Sequence, residues 1–193
     1  MTDVADQKAA LRALMQARRD ALADRDQRSV RICALVQSLP VFTAARAIHC
    51  YVPMRSEVDT RPLIVAALAA GKAVAVPVVG GQRELRHSWI ASLSEEDWVP
   101  GRFGTRRPRR LMPAYPGEWS LTIVPLLAFD RDLYRLGYGG GYYDALLATA
   151  STVAVGVAFA DQEVAELPRE AHDYPLDLVV CEDGIRRRHE HYR

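Results

Sequence analysis

Residues 47–79 read AIHCYVPMRSEVDTRPLIVAALAAGKAVAVPVV, and the order of elements within them decides the fold. AIHCYVP, at 47–53, is an apolar run with the length of a buried strand. Asp59 and Thr60 then offer capping side chains, Pro62 falls in the first turn of the helix they open, and Gly71 marks that helix's end. From Lys72, KAVAVPVV is a second strand. Strand, helix and strand in close succession are the signature of a right-handed crossover joining two parallel strands.

Working outward, Leu11, Leu14, Met15 and Leu22 recur at three- and four-residue steps and predict a helix over 5–22. Lys8, Arg12 and Arg19 share much of its polar face. A second helix is expected over 26–39, with Val30, Cys33, Leu35 and Val36 on its apolar side and Pro40 ending it. Further strands are expected at 84–90, 121–129, 152–160 and 177–182, with a helix opening near 141–144. Residues 94–117, SEEDWVPGRFGTRRPRRLMPAYPG, form a long stretch rich in Pro, Gly and Arg, of the kind that is usually functional or mobile. The expected fold is α/β: one three-layer domain over 1–193 with a mostly parallel central sheet, Rossmann-like, preceded by two N-terminal helices. The polar end of the chain, 184–193, is expected to be a flexible tail.

Composition narrows the function classes. The 193 residues carry 25 Lys plus Arg against 24 Asp plus Glu, which gives no global pull toward nucleic acid or a membrane surface. Cys33, Cys50 and Cys181 are odd in number and sit singly in apolar runs, the pattern of reduced buried thiols in a reducing compartment. The opening MTDVADQKAALRALMQ has no apolar run of signal-peptide type, and no segment is long enough to span a bilayer. A cytoplasmic protein, monomeric, with no nucleic-acid or membrane partner, is the expectation. His49, His87, His172, His189 and His191 show no zinc-ligand spacing, and no Ser/His/Asp or Cys/His arrangement is legible.

The chemistry concentrates in RLGYGGGYYD, Arg135 to Asp144. It follows a predicted strand and leads into a predicted helix, where backbone N–H groups gather around an anion. It lacks the lysine and hydroxyl of a Walker loop and fits the dinucleotide fingerprint poorly, so glycine spacing alone leaves phosphate cradle and structural turn both open. Arg135, a planar cation, and Asp144, a hard carboxylate, favour phosphate and magnesium, and Tyr142 and Tyr143 add aromatic surface.

PLLAFDRDLYRLGYGGGYYD, at 125–144, resembles the signature of the 5-formyltetrahydrofolate cyclo-ligase family, also called 5,10-methenyltetrahydrofolate synthetase. Lys8 and Arg12, SEVDT at 56–60 and HDYPLDLVVCEDG at 172–184 extend the resemblance along nearly the whole chain. It implies an enzyme that closes the ring of 5-formyltetrahydrofolate to 5,10-methenyltetrahydrofolate with ATP and Mg2+, releasing ADP and phosphate. A formamide oxygen is a poor leaving group; phosphorylating it gives an N5-iminium phosphate that N10 of the same folate attacks. The protein's task is then positioning and charge neutralisation.

The resemblance also assigns residues. ATP contacts fall to Lys8, Arg12, Arg135, Leu136, Gly137, Tyr138, Gly139, Gly140, Gly141, Tyr142 and Tyr143, and folate contacts to Val52, Glu57 and the run from Tyr138 to Tyr142. Arg135, Gly139, Gly140, Gly141 and Tyr142 are the implied catalytic group, and Asp144 and Asp173 the magnesium carboxylates. Each has a plainer reading: Lys8 and Arg12 as a solvated helix face, Asp144 and Asp173 as cap or turn residues, Glu57 as a charge favourable to the next helix dipole, Val52 as core.

Two departures stand out. FGTRRPRR, at 103–110, replaces the FGIPEP of many relatives, which makes the arginine cluster either a contact for ATP phosphates or a folate polyglutamate tail, or a solvated charge run. Ala145 replaces an arginine. A non-catalytic folate- or nucleotide-binding protein on the same fold is the alternative function. An RNA-binding role for the RRPRR run is weaker, since it lacks interleaved aromatics.

Overall fold

The computed structural model describes residues 3–80 and 84–188. In chain order the helices and strands are α1 (Val4–Asp20), α2 (Arg25–Gln37), α3 (Pro40–Ala44), β1 (Ala47–Cys50), α4 (Arg61–Ala69), β2 (Ala73–Val79), β3 (Leu85–Ile90), β4 (Trp98–Pro100), β5 (Arg106–Pro108) and β6 (Pro113–Ala114). They continue with β7 (Leu121–Val124), β8 (Ala128–Phe129), β9 (Arg135–Leu136), α5 (Tyr142–Thr149), β10 (Val153–Val157), β11 (Leu178–Cys181) and β12 (Gly184–Arg187).

The crossover read from 47–79 is present: β1 and β2 pair in parallel, Ile48 opposite Val74, with α4 between them. Asp59 caps α4 by accepting from the Arg61 amide at 3.0 Å, whereas Thr60 turns inward and its hydroxyl donates to the Tyr51 carbonyl at 2.6 Å. Gly71 closes the helix at φ 73°, a conformation that costs glycine nothing.

Eight strands form the main sheet in the order β12-β11-β10-β7-β1-β2-β3-β6. The five from β11 to β2 are parallel, and antiparallel pairs flank them. Strand alternation sends Ile48, Val74, Val76, Leu121 and Ile123 to one face, where they pack with Ile32 and Val36 of α2 and Leu63 and Ile64 of α4. All are fully buried, and each contributes about 1.5–3 kcal/mol relative to exposure. Ala75, Ala154 and Val179 point to the opposite face, against Leu146 and Leu147 of α5. Helix, sheet and helix layers result.

Several expectations need correction. The predicted strand 121–129 stops at Val124, before Pro125, which has no amide to continue a ladder; Ala128–Phe129 pairs instead with β9 in a separate hairpin. The strand expected to Ala160 ends at Val157. Residues 94–117 contain a hairpin, β4 with β5, and the edge strand β6. Residues 184–187, expected in a flexible tail, form β12 against β11, with Arg186 ion-paired to Glu163 and Asp183; 189–193 lie outside the described residues. The largest correction concerns α1. Leu14 is 63% exposed, while Lys8, Met15 and Arg19 are 6%, 2% and 1% exposed, so the charged face is the one turned inward.

Candidate active site

The sheet's connectivity fixes where a ligand belongs. From β1 the chain moves one way, to β2, while β7, on the other side of β1, leads away to β10. Loops leaving the carboxyl ends of neighbouring strands that diverge in this way open a crevice. The segment after β1 carries Glu57, and the segment after β7 runs through the β8–β9 hairpin into RLGYGGGYYD. Helix α1 lies against that hairpin, Met15 packing on Leu127, Ala128 and Leu136. Its inward stripe, Lys8, Arg12, Met15 and Arg19, therefore faces the crevice.

In the glycine stretch, Gly139 has φ 93° and Gly141 has φ 69°, the latter preceding the first turn of α5. Arg12 Nε donates to the Gly137 carbonyl at 3.0 Å, and a side chain at Gly139 would start 3.2 Å from Arg12 Cζ. A side chain at Gly140 would start 2.6 Å from the Tyr142 ring. These contacts hold the backbone bare beside one cation and one aromatic ring.

Arg135 lies beneath, its side chain almost sealed from solvent. It donates through Nη1 to the Tyr174 carbonyl at 2.8 Å and through Nη2 to Asp144 Oδ1 at 2.9 Å, and that carboxylate oxygen also accepts from the Tyr174 amide at 3.2 Å. Burial lowers the guanidinium's pKa, opposed by the Asp144 charge. Lys8 Nζ reaches Asp173 at 2.7 and 2.9 Å and Glu170 at 2.7 Å. Burial raises the Asp173 pKa, but hydrogen bonds from Lys8 and the Glu170 amide outweigh it and hold the carboxyl below its usual range. Glu57, on the other side of the crevice, accepts from the Met54 amide at 2.9 Å and is pushed up by burial, with the Met54 bond, Arg19 and Tyr138 pulling the other way.

A protein-family model described as the 5-formyltetrahydrofolate cyclo-ligase family matches residues 4–182. The chain belongs to this family. It is 30% identical to the Escherichia coli (strain K12) 5-formyltetrahydrofolate cyclo-ligase, over 89% of this chain and 98% of that one. It is also 30% identical to a Schizosaccharomyces pombe protein named "Probable 5-formyltetrahydrofolate cyclo-ligase", over 92% of this chain and 96% of the other. Among solved structures it superposes on Aquifex aeolicus 5,10-methenyltetrahydrofolate synthetase with a TM-score of 0.82 at 32% identity, covering 96% of this chain and 99% of that one. The cyclo-ligase family is a family of ligase enzymes, and the α/β architecture expected from the sequence is the one found.

The fold gathers most of the predicted cyclo-ligase residues around one crevice. Lys8 meets Asp173, Arg12 meets Gly137 and Gly139, and Arg135 meets Asp144. Tyr143 stands apart: its hydroxyl is buried, with no hydrogen-bond partner among the described residues, and its ring lies 6.1 Å from that of His49. Val52 is partly buried and packs against the main core.

The donor set suits a hard cation, since Asp144, Asp173 and Glu170 all offer carboxylate oxygen. Glu170, His172 and Asp173 have ligand atoms within 4.8 Å of one another, a grouping that does not include Asp144. Glu170 was missed in the sequence, where it stands in a polar run without a motif. Arg19 was also missed as a site residue, although its spacing from Lys8, Arg12 and Met15 keeps all four on one helix face. The arginine cluster is partly committed to its neighbours: Arg106 pairs with Glu95 at 2.6 Å, and Arg109 Nε donates to the Glu96 carbonyl at 2.9 Å.

Proposed function

We propose that this chain closes the ring of 5-formyltetrahydrofolate to 5,10-methenyltetrahydrofolate, consuming ATP and releasing ADP and phosphate. The observation that carries the reading is the convergence of three cations and two carboxylates on one glycine loop, with a buried carboxylate, Glu57, across the crevice. Lys8, Arg12 and Arg135 supply the charge for a triphosphate, and the bare backbone at Gly139 and Gly140 lets the γ-phosphate and the formyl oxygen approach each other.

Glu57 receives N–H donors of the pterin edge, fixing the folate's N5 side toward the loop. Phosphorylation of the formyl oxygen makes phosphate the leaving group; N10 then bonds to the formyl carbon, loses its proton, and phosphate departs with the formyl oxygen. Asp144 and Asp173 would hold Mg2+, which neutralises charge on the triphosphate as it transfers. Lys8 and Arg135 sit on these two carboxylates, so the side chains that would hold the metal also place both cations beside it, where they would face the triphosphate.

The site draws on residues from Lys8 to Asp173, and we read the chain as one catalytic unit acting as a monomer. No helix among the described residues is long and apolar enough to cross a membrane. The three cysteines are free and buried, and a reducing cytoplasm is the location we propose. Mixing the protein with 5-formyltetrahydrofolate, ATP and Mg2+ and following the absorbance of the conjugated methenyl product tests the reading. Product that forms only with ATP supports it; tight folate binding without product replaces it with the non-catalytic binder.

A further inference from the structure

Arg19 is fully buried on helix α1, and an arginine is expensive to bury unless every donor is met. Its guanidinium fans out over three segments. Nε donates to Ser56 Oγ at 3.1 Å, Nη1 to the Leu126 carbonyl at 3.2 Å, and Nη2 to the Tyr138 hydroxyl and, at 3.4 Å, to Gln16 Oε1. Ser56 directly precedes Glu57, Leu126 lies on the segment leaving β7, and Tyr138 belongs to the glycine loop. Arg19 thus ties the segment that carries Glu57, through Ser56, to the glycine loop, through Tyr138, and both to the segment leaving β7. The Glu57 segment turns through Arg55 at φ 54°, an uncommon backbone state for a side chain of this size.

We propose that Arg19 is a positioning residue for the folate, holding the Glu57 loop and Tyr138 of the glycine loop in register so that the carboxylate faces the pterin. The proposal rests on the reading of Glu57 as the folate contact. It deepens that reading by naming what keeps Glu57 aimed. Arginine is required because only a planar fork reaches Ser56, Leu126 and Tyr138 together; a lysine ammonium keeps the charge and loses the span. Arg19 has no contact with Lys8 or the Asp144 and Asp173 carboxylates, so its influence belongs to the folate half of the crevice.

The test measures the folate dissociation constant and the KM for ATP in Arg19→Lys, Glu57→Gln and the double variant. Arg19→Lys is expected to weaken folate binding about tenfold, the size typical of coupling between groups in one network, with KM for ATP changed by less than about twofold. The double variant is expected to bind folate no worse than Glu57→Gln alone. Folate affinity unchanged by Arg19→Lys, equal losses for folate and ATP, or a double variant whose loss is the product of the two single losses overturns the proposal. Should Arg19→Lys fail to fold, Tyr138→Phe, which removes the hydroxyl that accepts from Arg19 while leaving the arginine in place, is put through the same cycle with Glu57→Gln, and multiplicative losses there again overturn it. If Glu57→Gln leaves folate affinity unchanged, the underlying assignment of Glu57 has failed, a result separable from the failure of Arg19.

Discussion

The charged residues of the crevice hold one another in fixed pairs, and this sets what a single substitution does. Removing the Asp144 side chain entirely would leave Arg135 buried without its counter-charge, a loss of about 3–5 kcal/mol. Asp144→Asn keeps an acceptor for Arg135 and the Tyr174 amide and removes only the charge a cation needs. It is expected to fold, with a thermal midpoint within a few degrees of the parent, and to lose about a hundredfold or more in metal-dependent turnover. Near-normal turnover would remove Asp144 from the metal's coordination.

The Lys8–Asp173 pair makes a pH prediction. The folded Asp173 carboxyl is held below 3.8, so its contribution to stability is complete above that value and is lost as pH falls through the lower, folded one. The Lys8 ammonium, which burial lowers but its two carboxylate partners raise, is held above 10.5; its contribution persists below that value and fades as pH climbs through the folded one. Lys8→Met is therefore expected to be less stable than the parent at neutral pH, with the gap closing in strong acid and in strong base. Denaturant melts across pH check this, and a gap independent of pH would contradict it. At this scale the sequence was informative about identity and less so about environment: Lys8 and Arg12 were visible as a spaced pair, but nothing in their spacing says that the helix face bearing them is buried.

Elements were legible where periodicity and punctuation agreed. The crossover from β1 through α4 to β2 was readable because its apolar runs were bounded by Asp59, Pro62 and Gly71. The face of α1 was misread for a physical reason. Leu11, Leu14 and Met15 suggest a core stripe, but tertiary contacts with the crevice outweigh the burial of Leu14. Likewise, Pro125 divides one apolar run into two strands of different sheets, and β12 forms from a polar tail because β11 offers an open edge.

The glycine loop carries this scale's prediction. Gly139→Ala places a methyl on a backbone at φ 93° and 3.2 Å from Arg12, which costs about 1 kcal/mol or more in strain. Folding should survive. KM for ATP should rise more than KM for folate, since the displaced group is Arg12. An equal rise in both would show that the loop had collapsed as a whole.

The molecule as a whole is a sheet whose two faces are sealed by helices and whose carboxyl edge is left for chemistry. Its three thiols lie within the sealed part, and burial raises their pKa values, that of Cys33 to about 11. The folded protein is expected to react with an exposed-thiol reagent far more slowly than the unfolded chain, which should titrate three thiols. Rapid reaction of the native state at any one of them would place that cysteine at the surface. The three-layer class was legible from the alternation of strands and helices, and the family from four short motifs in order. The sequence did not show that those motifs, more than a hundred residues apart, meet through Lys8 with Asp173 and Arg12 with Gly137. That follows from the diverging strands at β1 and β7 and from the way α1 is laid across them.

The central claim is that the formyl oxygen leaves as part of phosphate. The most direct measurement supplies 5-formyltetrahydrofolate with a heavy-oxygen label in its formyl group, lets the protein turn it over with ATP and Mg2+, and weighs the inorganic phosphate by mass spectrometry. The account predicts one labelled oxygen in the phosphate for each methenyl product formed. Methenyl product accompanied by unlabelled phosphate, with the label released to water, would contradict it.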